Sequence, residues 1–184
     1  MRRSLAAIIG LMLAAVTFVA APASATTPYC GITWGSLIKG TKAVPGVHPS
    51  YLVNVRGGQH TCYDRVVIDL SGAGPSSTVK YVDQVLSDPR GDVVPLRGGA
   101  KLEVTVFAPD VNIDTRQLTY KPANRSELVN VTGFRTLRQL AYAGGFEGVT
   151  TIGVGVRARL PFRVFLLAGP GSGSRLVIDV AHAW

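Results

Sequence analysis

Two cysteines, two tryptophans, three histidines and a charged fraction of 16% leave this 184-residue chain poor in the residue types that carry most chemistry. Each scarcity excludes something. Two cysteines cannot staple a disulfide mini-scaffold, and the length falls short of a (β/α)₈ barrel. A 47% hydrophobic content is too high for a disordered tail. The catalytic signatures are missing as well. Ser172 in Gly169-Pro170-Gly171-Ser172-Gly173 has the wrong spacing for a nucleophile elbow. There is no H-E-x-x-H, no phosphate-binding GKS/T loop and no G-x-G-x-x-G after a strand, so no cofactor is expected. His48, His60 and His182 are scattered, and their spacing predicts no metal site.

Residues 1–25 read as a secretory signal peptide: Arg2 and Arg3 start it, an uncharged run from Leu5 to Ala21 follows, and Ala23-Ser24-Ala25 offers a cleavage site. A membrane anchor is the alternative, but Leu5–Ala21 is at the short limit for spanning and Gly10 interrupts it. Cleavage after Ala25 leaves a basic chain with no membrane span. Export places Cys30 and Cys62 in an oxidising compartment, which makes one disulfide the expectation. Their separation fits neither C-x-x-C nor a zinc knuckle. The bridge would tie an irregular segment, residues 26–50, to a domain covering 51–184.

That domain reads as short strands between turns: Tyr51–Arg56, Tyr63–Leu70, Val79–Leu86, Leu102–Phe107, Leu128–Val131, Thr151–Arg159, Phe162–Leu167 and Arg175–Val180. The first two suit a hairpin with a longer loop. Phe134–Tyr142 fits either a short helix or a strand, because Phe134, Leu137, Leu140 and Ala141 fall at helical spacing. The class expected is mainly β, a single sandwich or open barrel with at most one short helix. Arg65-Val66-Val67-Ile68-Asp69-Leu70 and Arg175-Leu176-Val177-Ile178-Asp179-Val180 share one pattern, which suggests related halves or mere strand composition.

The stretch Pro161–Leu167, its turn and Arg175–Val180 resemble the closing strands of AMIN domains. Cys30-Gly31-Ile32-Thr33-Trp34-Gly35-Ser36, Cys62–Asp69, Tyr81-Val82-Asp83-Gln84-Val85, Pro95-Leu96-Arg97-Gly98-Gly99, Gly145-Phe146-Glu147-Gly148 and Gly155–Val164 add to the likeness. The chain is similar to the actinobacterial AMIN-like domain family. That resemblance implies a secreted, extracytoplasmic β module, related to those that accompany cell-wall amidases and secretins and bind peptidoglycan. Residue bias toward Ala, Arg, Gly and Val agrees with a high-GC bacterium, where the sequons at Asn124 and Asn130 would carry no glycan.

Most of the positive charge is arginine, the side chain suited to bidentate contact with carboxylate or phosphate. In a continuous strand Arg157, Arg159 and Arg163 would share one face. They form either an anion-facing stripe for cell-wall glycan or an anionic wall polymer, or an ordinary solvated sheet face. Pro161 stands to break that register. Trp34 is either a sugar-stacking platform or a cover for the disulfide. Asp64, Asp69, Asp83, Glu103, Glu147 and Asp179 are the candidates for a hydrolytic carboxylate pair, though Asp69 and Asp179 better suit pairing with Arg or backbone N–H groups. Nucleic acid is a poor partner for an exported chain whose arginines are not interleaved with stacking aromatics. A non-catalytic envelope-binding module is therefore the leading expectation, ahead of an assembly partner for an envelope protein and a cryptic wall hydrolase.

Overall fold

The computed structural model describes residues 28–45 and 49–184; the expected leader and His48 lie outside the described residues. Eleven strands follow a three-residue 3₁₀ turn at Tyr29–Gly31: β1 (Lys39–Thr41), β2 (Leu52–Gln59), β3 (Tyr63–Leu70), β4 (Ser77–Val82), β5 (Val85–Leu86), β6 (Val93–Val94), β7 (Ala100–Val106), β8 (Leu137–Phe146), β9 (Val149–Val156), β10 (Phe162–Ala168) and β11 (Ser174–Ala181). All pairings are antiparallel. One sheet runs β1-β4-β7-β9-β8, a second runs β10-β11-β3-β2, and neither closes into a barrel. Among the described residues no helix is long and apolar enough to cross a membrane.

Alternation explains why these segments are strands. Leu102, Val104 and Val106 are fully buried while Lys101, Glu103 and Thr105 are half-exposed, so β7 turns one face inward. Val66, Ile68 and Leu70 of β3 and Leu176, Ile178 and Val180 of β11 do the same from the opposite sheet, and both sets join one core around Phe162. The molecule is a sandwich. Its core consists mostly of aliphatic side chains fixed by two sheets of opposed pleat.

One open alternative is settled and two sequence expectations need correcting. Phe134–Tyr142 is not a helix; it leads into β8, which continues through Gly144 and Gly145. The helical spacing of Leu137 and Leu140 arises from a bulge between Leu137 and Gln139, because one extra residue puts side chains three apart on one face. Leu128–Val131 is irregular: Leu128 N–H donates to the Leu140 carbonyl and Tyr142 N–H to the Arg125 carbonyl, so residues 125–128 shield the β8 edge without forming a strand. The N-terminal segment, expected to be irregular, contributes β1, which pairs with β4.

The outer face of the larger sheet is also covered. Residues 83–99, carrying the β5–β6 hairpin, lie over β9. Thr151, Gly153 and Gly155 face this cover, and the two glycines leave room for it. A Cβ on Gly153 would lie 2.7 Å from Leu96 Cδ1, and one on Gly155 only 2.0 Å from the Arg97 carbonyl oxygen. Gly155 is thus required by a close backbone approach, which a methyl group cannot share.

Three tyrosines place a hydroxyl at the rim of the apolar interior. Tyr81 donates to the Leu160 carbonyl at 2.7 Å and accepts from Leu160 N–H at 3.0 Å, and Tyr142 donates to Asp110. Burial disfavours the phenolate in each. Tyr120 is pushed up to about 12, and Tyr142 and Tyr81 are also raised.

Gly155→Ala is expected to lower stability by about 1–3 kcal/mol by forcing residues 95–99 off β9, a loss that a urea melt measures. Raised folded-state tyrosine values mean that the unfolded chain ionises first as pH climbs past 10, so stability falls from there to about pH 12. Absorbance titration should show Tyr120, Tyr142 and Tyr81 ionising above the usual tyrosine range, and Tyr120→Phe should flatten the alkaline decline.

Candidate functional site

The N-terminal segment, the β2–β3 loop, the β9–β10 linker and the C-terminal tail meet at one end of the sandwich. Cys30, in the 3₁₀ turn, is bonded to Cys62 in the β2–β3 loop. Gly35 accepts a 2.8 Å bond from Phe162 N–H, so the chain after the disulfide runs beside the start of β10. In the chain-entropy model, closing this loop of roughly 33 residues stabilises by about 3–4 kcal/mol.

Asp179 is the organising charge. It is fully buried on β11, directly opposite Arg163 on one side and Arg65 on the other. Arg65 Nε donates to Oδ1 at 2.6 Å and Nη2 to Oδ2 at 2.9 Å; Arg163 Nε donates to Oδ2 at 2.7 Å. The Asp179 carboxylate holds the Arg65 guanidinium above its usual range. Two guanidinium groups thus share one buried carboxylate, leaving a surplus positive charge packed among aromatic rings. Arg163 sits 5.6, 5.3 and 5.1 Å from the ring centres of Trp34, Tyr63 and Phe165, close enough for cation–π attraction.

The repeated hexads now have a physical reading. β3 and β11 pair with each other, with Arg65 facing Asp179 and Asp69 facing Arg175. An antiparallel pair of R-x-V-x-D strands presents Arg to Asp at both ends. Only the first of these forms an ion pair: Asp69 is held by Arg56 of β2 through two 2.7 Å bonds, and Arg175 donates to the Gly169 and Ala168 carbonyls. The smaller sheet is two hairpins joined along these strands, so the echo marks mutual partners. Both aspartates pair with arginine, as their strand-end positions suggest.

The three candidate arginines do not form a stripe. β9 stops at Val156 and β10 starts at Phe162, so Arg157 and Arg159 lie on the linker between sheets and only Arg163 lies on a strand. Arg157 Nη2 donates to the His182 carbonyl at 2.8 Å, and Arg159 Nη2 to the Ser36 carbonyl at 3.3 Å while its guanidinium covers Tyr81. Arg157 and Arg159 remain exposed; Arg163 is half-buried. Pro161 and the crossing between sheets break the register that a continuous strand would have kept.

Trp34 donates from Nε1 to the Tyr29 carbonyl at 2.8 Å and tilts against Tyr63 with ring centres 6.0 Å apart. Its surroundings include a cleft of about 550 Å³ lined also by Pro28, Tyr29, Pro161 and Trp184. Trp184 is 71% exposed, an unusual cost for the largest side chain. The tail carrying it is anchored by His182. Its N–H donates to the Cys62 carbonyl, Nε2 lies 3.0 Å from Asp64 Oδ1 and Nδ1 lies 3.2 Å from the Thr61 carbonyl. Both ring nitrogens face acceptors, so the ring is held between the Thr61 carbonyl and Asp64. Asp64, fully buried, accepts Thr136 and Leu137 N–H at 2.5 and 3.0 Å, which makes it a structural brace.

Of the remaining carboxylates, Glu103 pairs with Lys80 at 3.0 Å and shares a cleft with Glu147, while Asp83 is exposed elsewhere. Among the described residues no group of three or more His, Cys, Asp or Glu is arranged to hold a metal ion.

The family model of the AMIN-like domain matches residues 50–182. The chain belongs to the AMIN-like domain family. Among curated proteins none matches it. Membership makes it a cell-envelope-associated module of a generally non-catalytic kind, and together with the disulfide it points to an extracytoplasmic location. The matched segment holds Arg65, Arg157, Arg159, Arg163 and Asp179; Cys30, Trp34 and Trp184 lie outside it. The aromatic cleft is therefore built largely from residues that flank the AMIN-like segment.

Asp179→Asn is expected to cost about 2–3 kcal/mol, because it leaves two partly buried guanidinium groups without their counter-charge. Arg163→Gln should cost less, since Arg65 keeps its two bonds to the carboxylate. Urea midpoints of the two variants test that order.

Proposed function

We propose that this AMIN-like protein is a secreted, non-catalytic module that holds cell-wall glycan, either peptidoglycan or an anionic wall polymer. The observation that carries the reading is the cleft between Trp34 and Trp184, with Tyr29, Pro28 and Pro161 completing its walls. Pyranose rings present flat C–H faces that stack on indole, and a 550 Å³ cleft suits one or two sugar units. Arg157, whose partner His182 belongs to the tail that carries Trp184, supplies a guanidinium for a carboxylate or phosphate on the polymer. Arg159 supplies a second from the same linker. Arg163 contributes differently: it is committed to Asp179 and packs under Trp34, so its role is to position that ring.

Surplus positive charge also favours retention near an anionic wall without any specific site, and that attraction is screened by salt. Purified sacculi should therefore co-sediment the protein at physiological salt, and more of it than of an unrelated basic protein of equal charge. Trp184→Ala should weaken retention about tenfold with little loss of stability, as its side chain is mostly exposed. Arg157→Gln with Arg159→Gln should weaken it further. Retention no greater than that of the basic control, or unchanged in Trp184→Ala, removes the proposal. Crosslinking in the envelope that recovers one protein and no glycan would instead assign an assembly role.

A further inference from the structure

The bulge in β8 falls between Leu137 and Gln139, and Arg138 is the residue it displaces. A bulge re-aims the side chain it carries. Here Arg138 folds back along its own chain: Nη1 donates to the Phe134 and Leu137 carbonyls at 2.9 Å each, and Nη2 to the Arg135 carbonyl at 3.2 Å. A second guanidinium reaches the same bulge from residues 95–99. Arg97 Nη2 donates to the Arg138 carbonyl at 2.9 Å and to Glu127 Oε2 at 3.1 Å. Its backbone is fixed as well. Arg97 N–H donates to Gln139 Oε1 at 2.8 Å, and the buried Gln139 donates from Nε2 to the Ser126 carbonyl at 2.9 Å.

Two guanidinium groups are thus bonded to consecutive carbonyls, those of Leu137 and Arg138, and both residues line one cleft of about 290 Å³. Among the described residues Glu127 is the one carboxylate paired with either of them, and Arg138 forms no ion pair. Like charges held this close repel, and an anion between them relieves the repulsion. The rest of the lining comes from residues 131–134 and Leu137. That loop is ordered by Asn130 Oδ1, which accepts Thr132 N–H at 3.0 Å, and by Phe134 N–H donating to the Val131 carbonyl at 3.1 Å. Among the described residues the Thr132 hydroxyl and the Gly133 N–H have no hydrogen-bond partner.

We infer that this cleft binds a phosphate group, free or as a small ester. Arg97 and Arg138 supply charged donors, while Thr132 and Gly133 supply neutral ones. Together these are more donors than the two oxygens of a carboxylate use well, and they suit the three or four oxygens of a phosphate. Val131, Phe134 and Leu137 give the lining an apolar part that suits the carbon skeleton of an ester. Glu127 competes for Arg97, so binding is weak, with Kd on the order of 1 mM. The cleft shares no lining residue with the aromatic cleft, and the inference does not depend on glycan binding there.

The test is an amide chemical-shift titration of the folded protein with inorganic phosphate, glycerol 3-phosphate and acetate, all at one ionic strength. Shifts confined to residues 97, 131–134 and 137–139 are expected, with acetate binding about tenfold more weakly than either phosphate. Arg138→Gln should weaken phosphate binding about tenfold, but it also frees three carbonyls. Glu127→Gln is the complementary variant: it releases Arg97 and should tighten phosphate binding about threefold, a gain that a purely structural role for these arginines would not produce. Trp184→Ala should change none of these affinities, which separates this site from the glycan cleft. Tighter binding of glycerol 3-phosphate than of inorganic phosphate assigns an ester, and equal or weaker binding assigns the free ion. Scattered or absent shifts at about 20 mM ligand, acetate binding as well as phosphate, or no gain in Glu127→Gln overturns the inference.

Discussion

The sharing of Asp179 between Arg65 and Arg163 is the interaction on which this end of the molecule depends. A carboxylate with no exposure is tolerated only because two guanidinium groups reach it, one from each neighbouring strand. Those contacts join three strands of the smaller sheet across its outer face, opposite the apolar core. They also set the height of the aromatic shelf: Tyr63, Phe165 and Trp34 lie against the same guanidinium groups. Without the ion triad the outer face would consist of loose arginines, and Trp34 would lose the flat cation beneath it.

Asp64 braces the tail in a complementary way. It accepts two backbone N–H groups at the entry to β8 and faces the His182 ring, linking the start of β3, the start of β8 and the residue after β11. The two buried aspartates divide the work: Asp179 fixes the sheet face, and Asp64 fixes the tail that carries Trp184. Both carboxylates are fully buried and committed to partners within the fold.

Much of the sandwich was legible in the sequence because its strands alternate cleanly. β2, β3, β7, β10 and β11 follow from period-two burial bounded by Gly and Pro, and the pairing of Cys30 with Cys62 follows from redox compartment. β8 stayed open between helix and strand because its bulge imitates helical spacing. The Arg157–Arg163 stripe misled because a chain crossing from one sheet to the other loses its phase, and Pro161 marks where that happens. The contacts of Asp64 with Thr136 and His182 span 72 and 118 residues, distances at which no local pattern exists to be read. Arg65 with Asp179 was the recoverable case, since hexads of the form R-x-V-x-D laid antiparallel set Arg opposite Asp, although at the other end Asp69 takes Arg56 and Arg175 bonds the Gly169 and Ala168 carbonyls.

The aromatic cleft joins Tyr29 and Trp34 to Trp184, segments from opposite extremes of the described chain. No local unit of the fold contains it, so a ligand seated there recognises only the finished assembly. Its binding free energy is then added to the stability of the entire domain, not to a single loop. Under the proposed glycan binding, an occupied cleft would act as a clasp, and anchored molecules would outlast stray ones wherever proteases prune whatever unfolds.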